Sequence, residues 1–140
     1  MQQADIQTSD LYTLQLPSKL ESITELENLI EAIADKYQVG EDVFGNMMTC
    51  LNEVVNNAIV HGNKLDPNKM VIVNVEADHH RIVWTVTDEG PGFDYVHLAD
   101  PTSEENLEKL SGRGVFIIKM LADQCVFNAA GNEVELLFKI

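Results

Sequence analysis

NEVVNNAIVHGN, residues 52–63, is the stretch on which the reading of this chain turns. Around it, Phe44, Met47, Leu51, Val54, Val55 and Ala58 project to one side at 3.6 residues per turn and predict an amphipathic helix from about Asp42 to His61. Its other side is the unusual one. Glu53 and Asn57, four residues apart, share a face, flanked by Asn46, Thr49 and Asn56, and no Lys or Arg occurs from Glu41 to Asn63. Solvated helix faces usually mix both signs of charge, whereas this one offers carboxylate and amide oxygens, the hard donors that Mg²⁺ prefers. Taken alone it is as readily a polar surface.

Upstream, Tyr12, Leu14 and Leu16 alternate with Thr13 and Gln15, so Leu11 to Leu16 reads as a strand ended by Pro17. Ser18 and Glu21 have the spacing of a capping box. Ile23, Leu26, Ile30, Ile33 and Tyr37 then predict a helix stopped by Gly40. Downstream, Met70 to Glu76 and Arg81 to Asp88 are rich in β-branched residues and read as a hairpin whose turn leaves His79 and His80 solvated. After a polar, acidic connection longer than most, helical periodicity returns from Gly114 to Ala122. Cys125 to Ala129 and Glu133 to Ile140 close the chain as a hairpin around Gly131 and Asn132. Helices interleaved with hairpins predict an α+β two-layer sandwich: one mixed, mostly antiparallel sheet covered by about three helices on one face.

Two further constellations accompany the first. DEGPGFD, residues 88–94, follows a strand directly; Gly90 and Gly92 bracket Pro91, leaving a surface that a flat ring can approach without a Cβ in the way. An ionised Asp88 only accepts hydrogen bonds, which favours an amino-bearing base edge such as adenine's over guanine's carbonyl. SGRGVFIIKM, residues 111–120, places Gly112 and Gly114 around Arg113 ahead of an apolar helix, where unpaired amides and the positive dipole end make an anion site. The guanidinium adds a fork of donors suited to phosphate. Separately, these are equally an ordinary turn and a hinge.

Composition bounds the rest. The 140 residues suit one domain, with 1–10 a loose tail, and no apolar run is long enough to span a membrane. With a polar, acidic start, the chain reads as unexported and cytoplasmic. A net charge of −14 repels nucleic acid and anionic membranes and favours a basic or neutral protein partner. Cys50 and Cys125 fit no metal-ligand spacing and read as small buried hydrophobes. His61 reads as a structural residue at a helix end.

In order, Glu53-x-x-x-Asn57 with His61-Gly62-Asn63, then Asp88-x-Gly90-x-Gly92, then Gly112-x-Gly114, resemble the N, G1 and G2 boxes of the GHKL ATPases. The resemblance spans residues 11–140. Within that superfamily the chain is most similar to the bacterial anti-sigma factor serine kinases of the RsbW and SpoIIAB kind, being short and lacking a phospho-accepting helix or a transducer domain. The resemblance implies a Bergerat fold that binds ATP and Mg²⁺ beneath a lid at residues 95–111. It makes Glu53 the general base, Asn57 the Mg²⁺ ligand and Asp88 the reader of the adenine amino group, with Gly90 and Gly92 at the same pocket. Gly112, Arg113, Gly114 and the Val115 amide would form the phosphate cradle, and Lys64 and Lys109 extra cations. It implies a serine/threonine kinase acting on a STAS-domain anti-anti-sigma factor, binding a sigma factor, and forming a homodimer; the sheet face that helices leave open needs burial or a polar coating, with Leu14, Leu16 and the strand residues beside them as candidates. The competing expectations are an ATP-shaped binding module without turnover and a histidine kinase fragment. One departure stands out: where the family has a Thr after Gly near the last hairpin, this chain has Asn132 and Glu133.

Overall fold

The computed structural model describes residues 9–91 and 110–140, with residues 110–113 described by backbone alone. Gly92, Lys109, the Arg113 side chain and most of the expected lid therefore lie outside the described residues.

The elements follow the expected order: β1 (Asp10–Pro17), α1 (Ser22–Lys36), α2 (Glu41–Asn57) continuing into a π-helical turn (Ala58–Gly62), β2 (Met70–Ala77), β3 (Arg81–Thr87), α3 (Leu110–Leu121), β4 (Gln124–Phe127) and β5 (Glu133–Lys139). The strands form one sheet in the order β1-β2-β3-β5-β4, and every pair is antiparallel. Asp78 tightens the β2–β3 turn by accepting the His80 and Arg81 amides at 2.7 and 3.0 Å.

Period-two alternation decides what each strand buries. Val73, Val75 and Ala77 stand opposite Val86, Trp84 and Ile82, which in turn stand opposite Val134, Leu136 and Phe138. All nine are buried. They meet Leu26, Ile30 and Ile33 of α1 and Met47, Leu51, Val54 and Val55 of α2 in one core, where the Trp84 indole N–H finds the Met47 sulfur at 3.4 Å. Leu14 and Leu16 belong to this core as well, Leu16 fully buried. This corrects the expectation that puts Leu14 and Leu16 on the open sheet face; of the strand residues named for it, only their neighbours Leu11, Thr13 and Gln15 stand there, opposite Glu76, Asn74 and Ile72.

Three local expectations differ. Ser18 does not cap α1: its hydroxyl donates to Lys69 O at 2.6 Å, so it ties β1 to β2, and the N-cap position falls to Glu21, which makes no side-chain cap. Helix α1 ends at Lys36 because Gln38 takes a left-handed φ of 54°, while Gly40 is extended and N-caps α2. Helix α3 begins at Leu110, four residues before Gly114.

Candidate functional site

Helix α2, the π-turn, the end of β3, α3 and the β4–β5 hairpin enclose a cavity of about 140 Å³. Its walls are apolar (Val54, Val86, Val115, Ile118, Phe127) and its polar groups few, chief among them Asn57, Asp88 and Asn132. An apolar cleft with a few convergent polar groups has the form of a small-molecule site.

Asn57 ends the regular part of α2. Its Oδ1 is buried without a hydrogen-bond partner, the only such side-chain atom among the described residues. Buried polar oxygens are rarely left alone, and an orphan at a cleft indicates a missing donor or cation. The orphan oxygen thus fits Mg²⁺, which takes one or two protein oxygens and completes its shell from phosphates and water. No cluster of three or more His, Cys, Asp or Glu able to hold a metal occurs among the described residues, so a metal here would lean on a ligand for most of its coordination.

Glu53 lies one turn earlier on α2. A Cβ on Gly114 would come within 2.5 Å of its Oε2, so glycine is what lets α3 lie directly against this carboxylate. The residues expected to form the phosphate cradle, Gly112 to Val115, fall within α3. Gly112 sits in the first turn, where amides are unpaired, but Gly114 and Val115 lie a turn further in, where the helix's own carbonyls take up their N–H groups. Val115 instead presents its side chain to the cleft.

Asp88 follows the last residue of β3, its backbone N–H donating to Asn132 O at 3.0 Å. Its Oδ1 accepts the Gly90 amide at 2.7 Å, and burial raises its carboxyl from the ordinary aspartate value, opposed by that hydrogen bond. Two glycines make room for it. A Cβ on Gly62 would lie 2.6 Å from its Cγ, and one on Gly90 would lie 2.2 Å from Gly62 O. The helix end and the strand end thus meet backbone to carboxylate, with His61 and Gly62 brought to the cleft by the π-turn. Single π-turns in α-helices are frequent at functional sites.

Three participants were not singled out from the sequence. Gly62 stands in the quoted motif, but its contact with Asp88 spans 26 residues of chain. Asn63 is buried and donates to Ser18 Oγ and Met70 O while accepting the Glu89 amide. Asn128 accepts three amides, from Gly131, Asn132 and Glu133, and so shapes the turn that carries Asn132. Asn132, at the departure from the family's Thr, lines the cleft and donates to Gly90 O at 3.3 Å. Gly131 before it has a φ of 80°, which favours glycine. Lys64 is exposed and does not line the cleft, and His79 packs edge-on against Tyr37, with ring centroids 5.2 Å apart, rather than standing free.

An antiparallel sheet with helices on one face and a cleft between α2, α3 and the strand ends is the architecture of a nucleotide-binding α+β domain. The profile of the histidine kinase-like ATPase domain matches residues 16–138, and the chain belongs to that family. It is 32% identical to an anti-sigma F factor of Anoxybacillus flavithermus over 102 residues, 69% of each chain. Over 138 residues it is 25% identical to the serine-protein kinase RsbW of Staphylococcus epidermidis, covering 93% of this chain and 87% of that one. An anti-sigma F factor of Geobacillus stearothermophilus is 28% identical over 123 residues, 86% and 84% of the two chains.

Proposed function

We propose that this chain is an ATP-dependent serine/threonine protein kinase of the anti-sigma type, cytoplasmic, acting on a serine or threonine of a STAS-domain anti-anti-sigma partner and binding a sigma factor in alternation. The observation that carries it is the unpartnered Asn57 Oδ1 at the cleft, one helical turn from Glu53. The names of its relatives, anti-sigma F factor and serine-protein kinase, support the direction.

The cleft's own residues divide the work. Asp88 and Asn132 stand at one end, where an amino-bearing base meets an acceptor and an amide. Helix α3 lines the cleft through Val115 and Ile118, and its first turn with Arg113, in the same segment, is the donor set we assign to phosphate. No Lys or Arg is among the described residues lining the cleft, while Asp88 and Glu133 are. A polyphosphate there needs a cation, and Asn57 is placed to hold Mg²⁺, which when bound neutralises phosphate charge. Glu53 takes the proton as the partner's hydroxyl oxygen bonds to the γ-phosphorus and the β–γ bridging bond breaks, leaving ADP. The open sheet face, with Leu11 71% exposed and Val126 57% exposed, is the surface we assign to a homodimer.

The test is incubation with labelled ATP and a candidate STAS-domain protein, followed by detection of phosphoserine or phosphothreonine. Transfer is expected from the wild type and should fall about 10²- to 10⁴-fold in Glu53→Ala, the usual contribution of a positioned general base. A wild type that binds ATP and partner yet transfers nothing refutes the kinase and leaves a nucleotide-shaped binding module.

A further inference from the structure

Asn63 is one of three buried polar residues among those described, at 1% exposure, and each end of its amide is engaged. Its Oδ1 accepts the Glu89 N–H at 2.8 Å, and its Nδ2 donates to Met70 O at 3.0 Å and Ser18 Oγ at 2.9 Å. The ring closes on itself, because Glu89 Oε2 accepts the Met70 amide at 2.6 Å. Four segments meet here: the turn after β1, the first residue of β2, the turn after β3 and the end of the π-turn.

The turn after β3 is the one that carries Asp88. Residues 62 and 63 grip it at two points, Gly62 against the Asp88 carboxylate and Asn63 on the amide of the next residue. Asn63 is tied back in turn to the helix of Asn57, its own N–H donating to Ala58 O at 2.8 Å. Among the hydrogen bonds from the helix end to the Asp88 turn, the one from the Glu89 amide is taken by this side chain, beside the direct packing of Gly62 on the carboxylate.

We infer that Asn63 is a positioning residue that sets the placement of Asp88 relative to Asn57 and thereby the selectivity of the cleft for its base. This rests on the nucleotide reading proposed above. The oxygen of the amide does the positioning, because it alone faces the Asp88 turn. The nitrogen, facing β1 and β2, serves the fold.

Titration calorimetry of the full chain with Mg-ATP and Mg-GTP, alongside thermal melts, separates these roles. Asn63→Ala loses the Glu89 contact and should lower ATP affinity about tenfold with little change for GTP, the effect of one displaced hydrogen bond to the base. Asn63→Asp keeps an oxygen toward the Glu89 amide and should hold the ATP-to-GTP ratio within about threefold of wild type while melting lower. Ser18→Ala removes a partner of the nitrogen together with the hydroxyl's bond to Lys69 O, neither of which faces the Asp88 turn, and should melt lower with the ratio unchanged. An Asn63→Ala protein that melts lower but keeps the wild-type ratio overturns the inference. Should that variant not fold, amide hydrogen exchange of the wild type decides: a protected Glu89 N–H that stays protected in Asn63→Asp supports the role, and a freely exchanging one overturns it. A wild type with no preference for ATP, or one whose preference survives Asp88→Asn, sinks the nucleotide reading itself. A preference that needs Asp88 but not Asn63 sinks only the inference.

Discussion

Gly62→Ala and Gly45→Ala place the same methyl group near opposite ends of one helical segment and should act in opposite directions. At Gly62 the new Cβ would lie 2.6 Å from Cγ and Oδ2 of Asp88 and 2.8 Å from Oδ1, about 0.8 Å inside ordinary contact. The carboxylate can move only toward the cleft it lines, and its hydrogen bonds oppose that. Its Oδ1 is held by the Gly90 amide at 2.7 Å and the Asp88 backbone by Asn132 O at 3.0 Å, so relief must break a hydrogen bond or part the helix end from β3. Overpacking of this kind costs about 1–3 kcal/mol, or roughly 3–10 °C in melting temperature for a domain of this size. A carboxylate pushed off the base edge also forfeits its hydrogen bond there, weakening Mg-ATP binding about 5- to 100-fold. Gly45, exposed in α2, has nothing within 4 Å of an added Cβ, so alanine there should gain the helix-propensity difference of about 0.5–1 kcal/mol and leave binding unchanged. Calorimetry and thermal melts of the two variants decide it. If Gly62→Ala binds ATP and melts like wild type, the contact between helix end and Asp88 is not what shapes the cleft.

The other predictions concern charge and metal. Burial raises the Asp88 carboxyl in the fold, so the folded chain keeps that proton to higher pH than the unfolded chain, and ionisation subtracts stability as pH rises through the window above 3.8. Asp88→Asn should therefore melt higher than wild type at pH 7, by a margin that vanishes below the ordinary carboxylate range, while ATP binding falls about 5- to 100-fold. A variant that melts lower at pH 7 would contradict the desolvation argument. Asn57→Ala should lose the Mg²⁺-dependent part of nucleotide affinity, whereas Glu53→Ala should bind Mg-ATP like wild type. Equal Mg²⁺ dependence in Asn57→Ala and wild type would remove Asn57 from the metal.

Local order was legible wherever one short-range interaction dominates. The 3.6-residue stripe of α2, the β-branched runs read at Met70 to Glu76 and Arg81 to Asp88, and the turn at Gly131 each report on neighbours within a few residues, and the strands and the turn stand within a residue or so of where the pattern put them. Glu53 and Asn57 shared a helix face on spacing alone. Boundaries read less well, because Ser18 had a stronger partner in Lys69 across the sheet than in its own helix, and Gln38 accepted a left-handed φ that sequence would sooner assign to Gly40.

Tertiary structure alone decided the contacts that span long stretches of chain. A glycine in a sequence says that a Cβ is absent, not what occupies its place; here the Asp88 carboxylate fills it at Gly62 and the Glu53 carboxylate at Gly114. The alternation of Tyr12, Leu14 and Leu16 was legible in β1, but that this side faces the helices, leaving Leu11 on the open face, is set only by the fold. Asn63 stands in the quoted motif, but its role was not legible there, since its three partners lie 45, 7 and 26 residues away. Periodicity and turn chemistry are properties of neighbours along the chain, whereas an orphaned oxygen at Asn57 or a pinned turn at Asp88 exists only once the chain has folded around it.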